Sequence, residues 1–261
     1  MNSKWPRISI ITPSFNQSHF IEKTIKSVLS QNYPNLEYIV MDGGSTDGTV
    51  EILKKYGRKI IWRSKKDRGQ SDAINKGLKI ATGEILAYLN SDDIYLDGTL
   101  QKVGNCFKKN PKIMWVIGKC KIIDEEGREV RKFIANYRNF WLKKLGPNLL
   151  LVINPIPQPA TFWNHKVLEE VGFFNQKEYY VMDYDYWLRV IKKFKPGFID
   201  NYLASFRIHS QSKGETNFVK HFQDEFEIAK KFTKNPLLIF LHYLNYLSII
   251  SGYSLLRVLK K

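Results

Sequence analysis

The feature that most constrains this chain is the repeated alternation, over residues 1–100, of short apolar runs with helical patterns. Ile8 to Thr12 reads as a buried strand, and Ile21, Ile25, Val28 and Leu29 follow at helical spacing before Pro34. Glu37 to Asp42 is a second strand. Val50, Ile52 and Leu53 lie on a helix closing at Gly57, and Ile60 to Trp62 is a third strand. Ala73, Ile74, Gly77 and Leu78 form the next helical face, Gly83 stops it, and Ile85 to Leu89 is a fourth strand. This order predicts an α/β fold: a mostly parallel, Rossmann-like sheet flanked by helices.

The chain has 261 residues, 43% of them hydrophobic and 14% aromatic, which excludes intrinsic disorder and allows a large core. Lys and Arg number 41 against 25 Asp and Glu, and the net charge of +16 calls for an anionic partner. Nucleic acid, anionic lipid and phosphorylated substrates suit that charge equally well. Cys106 and Cys120 are too few for a disulfide framework, and the Ile8 to Thr12 run is too short for a signal-peptide core. A cytoplasmic location is the expectation.

In parallel sheets ligands bind beyond the carboxyl ends of the strands. The unusual residues sit there. Strand one runs into Thr12-Pro13-Ser14-Phe15-Asn16, strand two into Asp42-Gly43-Gly44-Ser45-Thr46-Asp47-Gly48, and strand four into Asn90-Ser91-Asp92-Asp93. Any one of these loops is explained by turn formation or helix capping, as Thr46 or Asp47 can cap the next helix. Together they predict one site. Asp92 and Asp93 directly follow an apolar strand, where unpaired carboxylates are costly, so they call for a cation. Mg²⁺ or Mn²⁺ completed by a substrate diphosphate fits, and capping of a helix over Gly98 to Phe107 is the plainer alternative.

The second half is less regular. Met114 to Lys121 reads as a strand, Glu125-Glu126-Gly127 as a turn and Val130 to Ile134 as its hairpin partner. Asn154-Pro155-Ile156-Pro157-Gln158-Pro159 is a stiff loop, and Asn164 caps a helix running through Val171. A helix starting near Asp183 runs to Lys193. On it Asp185 can pair with Arg189 at i, i+4, whereas Asp183 has no such partner. His209 is expected on a strand after Arg207. With no linker between the halves, residues 1–235 are read as one domain.

Pro13-Ser14-Phe15-Asn16-Gln17, Asp42 to Thr49, Asp67-Arg68-Gly69-Gln70-Ser71-Asp72 to Gly77, and Ala81 to Asp93 resemble, in order and spacing, the motifs of family 2 glycosyltransferases. Asp183-Tyr184-Asp185-Tyr186-Trp187-Leu188-Arg189 and Phe206-Arg207-Ile208-His209 resemble that family's later motifs. The resemblance implies a GT-A fold and an inverting transfer from a nucleotide-sugar donor aided by Mn²⁺ or Mg²⁺. Residues 1–100 would bind the nucleotide sugar, 101–235 the acceptor, and 236–261 form a helical tail. Asp92, Asp93 and His209 are implied as metal ligands and Arg207 as the diphosphate's partner. Pro13 and Phe15 would line the base, with Ser91 and Asp92 also at the nucleotide. The family often has Asp at positions 43 and 90. Here they are Gly43 and Asn90, which shifts base recognition to Asp42 and Asp67, the former able to accept the imide N–H of uracil as readily as the latter. Asp72 is assigned to the ribose or phosphate side, with a helix-start carboxylate as the alternative. Asp183 occupies the general-base position. Trp187, one turn after Asp183, and Gln158 are candidate acceptor contacts, with buried core packing the alternative for Trp187. The Gln-x-x-Arg-Trp signature of processive members is absent, which points to one sugar per encounter.

Leu237 to Leu256 is long enough to cross a bilayer, but His242, Asn245, Ser248, Ser251 and Ser254 wind around it and Gly252 interrupts it. A surface-lying helix or helix pair followed by Arg257, Lys260 and Lys261 is the reading, against anionic headgroups at the inner face of the cell membrane. Packing on the domain or on a second copy in a homodimer is the alternative. Membrane contact would suit a glycan or lipid-linked acceptor in cell-surface polysaccharide assembly. Two rivals are weaker: a sugar nucleotidyltransferase, whose Gly-rich phosphate loop with a Lys is missing, and a nucleic-acid-binding protein, since basic residues are scattered and acidic loops repel phosphate.

Overall fold

Strand β1 (Ile8–Ser14) is buried at every position, and the sheet is laid on both of its edges. It pairs in parallel with β2 (Leu36–Asp42) on one side and with β4 (Ile85–Tyr88) on the other, while β3 (Ile61–Ser64) continues beyond β2. Helices α1 (Ile21–Leu29), α2 (Thr49–Tyr56) and α3 (Gln70–Ile80) connect these strands. α3 lies close against β1 because residue 77 has no side chain: a Cβ on Gly77 would sit 2.5 Å from Ile11 Cγ2. The predicted alternation is therefore present, with boundaries moved by a residue or two.

The computed structural model of the chain describes residues 5–210, 212 and 217–258, and for 253–258 the backbone alone. Beyond β4 come β5 (Ile94–Tyr95), α4 (Thr99–Lys109) and β6 (Trp115–Ile123). Then follow α5 (Lys132–Leu142), α6 (Pro147–Leu150), β7 (Thr161–Asn164) and α7 (His165–Val171). α8 (Met182–Lys193), β8 (Gly197–Arg207), α9 (Phe218–Phe232) and α10 (Pro236–Val258) complete the order. The sheet runs β3-β2-β1-β4-β7-β6-β8-β5. Among the described strands only β7 and β5 oppose the rest, so the sheet is mostly parallel, as expected.

One predicted element is replaced. Val130 to Ile134 does not form a hairpin with β6, because both edges of β6 are taken, one by β7 and the other by β8. After the turn at Gly127 (φ +90°) a single bridge joins Glu129 to Ile123, and the chain then winds into α5. His209 likewise lies just past the end of β8 and not on it. The cap on α7 is as read, with Asn164 Oδ1 accepting from Lys166 N at 3.0 Å. The tail is one helix. It packs on α9 through Phe226, and buried His242 donates Nδ1–H to Leu151 O at 2.7 Å, so domain packing accounts for part of it. No helix among the described residues is long and apolar enough to cross a membrane. Lys260 and Lys261, and the side chain of Arg257, lie outside the described residues.

Beneath β1 and β2 a buried carboxylate ties the start of the sheet together. Glu37 accepts from Thr82 N at 2.7 Å, Thr82 Oγ1 at 2.8 Å and Arg7 Nη2 at 2.8 Å, and from Ser9 Oγ. Burial pushes its pKa up, but the hydrogen bonds from Ser9 and Thr82 and the Arg7 charge outweigh that and hold it below the ordinary glutamate range. A lowered folded-state pKa stabilises above the unfolded value and ceases to as pH falls through the folded one. Glu37→Gln is thus expected to lower the unfolding free energy by about 2 kcal/mol at neutral pH in urea titrations, with the gap narrowing below about pH 4.

Candidate active site

The carboxyl ends of β1, β2 and β4 open into a cleft of about 750 Å³ whose far wall comes from α5, the proline-rich loop, the start of α8 and α9. Of the residues singled out from sequence, Pro13, Phe15, Asp67, Ser91 and Asp92 line it. So do Gln158, Asp183 and His209, which lie far from the first group in sequence. The three polar loops therefore share one cavity with the later motifs.

On the β1 side, Phe15 is 59% exposed at the rim, next to buried Pro13. Asp67 lies beside them, with Oδ1 accepting from Gly69 N at 2.8 Å. Glycine at 43 makes room for it: a Cβ on Gly43 would stand 2.9 Å from Asp67 Oδ2. Asp42 is not available to a base. It is buried and accepts from Gly44 N at 3.0 Å, Ser45 N at 2.9 Å, Ser45 Oγ at 2.5 Å and Ser64 Oγ at 2.6 Å, which fixes the loop. Asp72 is the helix-start carboxylate of the alternative reading, outside the cleft, with Lys76 Nζ at 2.8 Å and Arg68 N donating at 3.0 Å.

At the centre, Asp92 Oδ2 and His209 Nε2 are 2.9 Å apart. Asp93 is not beside them. Its side chain is wholly buried, accepts from Arg207 N at 2.8 Å and Asn90 Nδ2 at 3.2 Å, and is kept out of the cleft. Burial, and then the Asp92 charge, push its pKa well up. Asn90 bridges the floor, accepting from Gln70 Nε2 at 2.6 Å and donating to Gln158 Oε1 at 3.2 Å, while Gln158 Nε2 donates to Tyr88 O at 2.6 Å. The pair of Asp92 and His209 fits Mn²⁺ or Mg²⁺, an oxygen and an imidazole with cleft space for phosphate oxygens. No group of three or more His, Cys, Asp or Glu able to hold a metal occurs among the described residues, so such an ion would take its other ligands from substrate and water.

Arg207 does not face the cleft. It is 2% exposed; Nε donates to Asp92 O at 2.8 Å, and Nη1 to Asp124 O at 2.7 Å and Glu125 O at 2.9 Å, with the guanidinium over Phe20. It is a clamp between strand ends. Trp187 is also corrected: it is fully buried, stacked on Trp115 with centroids 5.8 Å apart and edge-on to Trp163, so no sugar reaches it. Asp183 stands at the start of α8, with Oδ1 accepting from Tyr184 N at 2.8 Å and no ion-pair partner among the described residues. Asp185 pairs with Arg189 at 2.9 Å, as its spacing predicts.

The motifs did not reveal Lys66, beside Asp67 on the β1 side, nor Lys121, Arg138 and Glu225, which also line the cleft. Glu225 is 5% exposed and no described residue donates a hydrogen bond to it. Its only sequence signal is a place four residues after His221 on α9. Cys120 is no nucleophile, since burial, and then Asp93, push its thiol up to about 12.

The family profile described as Glycosyl transferase family 2 matches residues 9–172. WfgD of Escherichia coli, named a UDP-Glc:α-D-GlcNAc-diphosphoundecaprenol β-1,3-glucosyltransferase, is 30% identical over 250 residues, covering 93% of this chain and 92% of its own. An uncharacterized glycosyltransferase of Rickettsia felis is 30% identical over 215 residues, 81% of this chain but 36% of the relative. This chain thus spans about a third of that longer relative. Among solved structures, the mannosyltransferase PcManGT of Pyrobaculum calidifontis, in complex with GDP-Man and Mn²⁺, superposes with a TM-score of 0.68 at 19% identity, over 94% of this chain and 70% of that one. TarS of S. aureus in complex with UDP-GlcNAc gives 0.65 at 18% identity, over 85% and 65%. These likenesses show the GT-A fold.

Arg207→Ala is expected to lower stability by roughly 2–3 kcal/mol, because three partly buried carbonyls lose their donor. Thermal melting with and without UDP checks it: a variant as stable as the parent would return Arg207 to the diphosphate. With fold, cleft and profile in agreement, this chain belongs to glycosyl transferase family 2.

Proposed function

We propose that this protein transfers one sugar, with inversion, from a UDP-sugar to a hydroxyl of a lipid-linked glycan. The observation that carries the proposal is the meeting of Asp92 and Asp183, ninety-one positions apart in sequence, on one cleft, with Asp183 left without an ion-pair partner among the described residues. A partly buried carboxylate without a cation, facing a substrate cleft, is a natural proton acceptor. Support for the donor and acceptor classes comes from the name of WfgD, and for the donor also from the TarS complex.

In this reading Pro13 and Phe15 pack against the uracil and Asp67 accepts its imide N–H. Asp92 and His209 would hold Mn²⁺ or Mg²⁺; the Mn²⁺ in the name of the PcManGT complex supports a divalent ion in such a fold. When bound, that ion offsets charge on the departing diphosphate. The remaining work belongs to side chains. Asp183 takes the acceptor hydroxyl's proton as that oxygen attacks the sugar carbon opposite the leaving group, in a single displacement without a covalent sugar–enzyme intermediate. Gln158, fixed by Asn90 and Tyr88, and Glu225 across the cleft orient the acceptor. A lipid-linked acceptor places the enzyme peripherally at the cytoplasmic face of the cell membrane.

With UDP-glucose as donor and a synthetic GlcNAc-diphosphate-lipid as acceptor, Asp183→Asn should retain UDP affinity by calorimetry while transfer falls about a thousandfold. A fully active variant would overturn the assignment of the base. Asp92→Asn should weaken UDP binding in Mn²⁺ by about tenfold or more, with little change in EDTA. Equal affinity in Mn²⁺ would remove Asp92 from the metal.

A further inference from the structure

Helix α5 presents two faces of opposite character. Ala135, Asn139 and Leu142 point inward and are buried, and Ala135, Arg138 and Asn139 form part of the cleft wall. Arg138 Nη2 donates to Ile156 O at 2.9 Å, which fastens this face to the proline-rich loop. On the other side Phe133, Tyr137 and Phe140, at i, i+4 and i+7, are 84%, 44% and 56% exposed. One exposed aromatic would need no explanation, but three in a row on one helix face mark a contact surface.

The charge around this stripe favours one occupant. From Val130 to Leu168 the sequence contains no Asp or Glu. Lys132 opens the helix, and beyond its end Lys144 lies on the aromatic side, its Nζ 4.5 Å from the Phe140 ring centre and 5.5 Å from that of Trp141. Lys143 is already paired with Asp200 at 2.8 Å. Aromatic rings with lysines at the rim, the acid at that end of the helix, Asp200, being neutralised by Lys143, match the headgroup layer of an anionic bilayer, where rings sit between acyl chains and water and ammonium groups meet phosphate.

We propose that α5 lies flat in the interfacial layer of an anionic phospholipid membrane, with Phe133, Tyr137 and Phe140 inserted and Lys132 and Lys144 at the phosphates. The cleft wall on the opposite side of the same helix is then held about one helix diameter, ~10 Å, from the lipid surface. A short glycan on a lipid anchor reaches Asp183 from that height without leaving the membrane; this last step rests on the function proposed above, whereas the docking itself does not. The leucine-rich outer face of α10, with Leu237, Phe240 and Leu244 exposed, is a separate surface.

Sedimentation of the full chain with vesicles of phosphatidylcholine, alone or mixed with phosphatidylglycerol, tests the docking. The parent should bind the mixed vesicles and only weakly the neutral ones. The triple variant Phe133→Ser, Tyr137→Ser, Phe140→Ser should bind roughly tenfold more weakly or less still, and Lys132→Glu with Lys144→Glu should erase the preference for anionic lipid. Both variants alter exposed side chains, and UDP affinity measured in solution should stay at the parent value. Undiminished vesicle binding by the triple variant would overturn the proposal and move the contact elsewhere, α10 being the first alternative to test. A parent dimer in sedimentation velocity that the triple variant converts to monomer would also overturn it, making the stripe an interface between copies. Absence of UDP binding in the parent, with α5-dependent vesicle binding intact, would instead remove the sugar-transfer reading and leave the membrane seat standing.

Discussion

A carboxylate with no exposure must be supplied with donors by the fold, and Asp93 receives them from the end of β8, through Arg207 N, and from Asn90 on its own loop. The same arginine continues outward, its guanidinium holding the carbonyls of Asp92, Asp124 and Glu125. One buried node thus joins the loop after β4, the loop after β6 and the end of β8. Since Asp92 precedes Asp93 and His209 follows Arg207 by two residues, fixing the node also fixes the 2.9 Å approach of Asp92 to His209. The cleft's centre is a consequence of that buried tie.

A division of labour among the acidic residues follows. Asp42, Asp72 and Asp93 are held by several backbone and side-chain donors and shape the loops, while Asp67, Asp92 and Asp183 line the cleft. The neighbours decide which is which. Gly43 leaves space that Asp67 fills, and Asn90 gives buried Asp93 a hydrogen-bond donor. A cleft built this way carries acids on its floor and Lys66, Lys121 and Arg138 on its walls, a mixture suited to a substrate that combines phosphate charge with neutral sugar hydroxyls.

α5 connects this chemistry to the surface of the molecule. It lies between the cleft and solvent, burying Ala135, Asn139 and Leu142 on its inner face and exposing Phe133, Tyr137 and Phe140 on its outer one. In a helix that served packing alone, the exposed positions would be polar. The tail helix was the more conspicuous apolar segment in sequence, yet its His242 is buried against Leu151 and part of its surface rests on α9.

The sequence by itself determined the parallel half of the sheet, because buried strands between amphipathic helices leave a periodicity that tertiary context seldom overrides, and it determined which loops converge, because those loops follow strands of one direction. It also paired Asp185 with Arg189, a local matter of helix geometry. Only the tertiary structure decided which face each loop residue turns. Asp42 and Asp67 read alike as candidate base contacts, Arg207 and His209 as neighbours on a strand, and Trp187 as either a sugar contact one turn after Asp183 or a core residue; burial separated them. The hairpin at Val130 failed for the same reason, since its place beside β6 belongs to β7 and β8, strands distant in sequence. Local pattern fixes elements and spacing, whereas the side a residue shows to a ligand is set by partners that arrive from elsewhere in the chain.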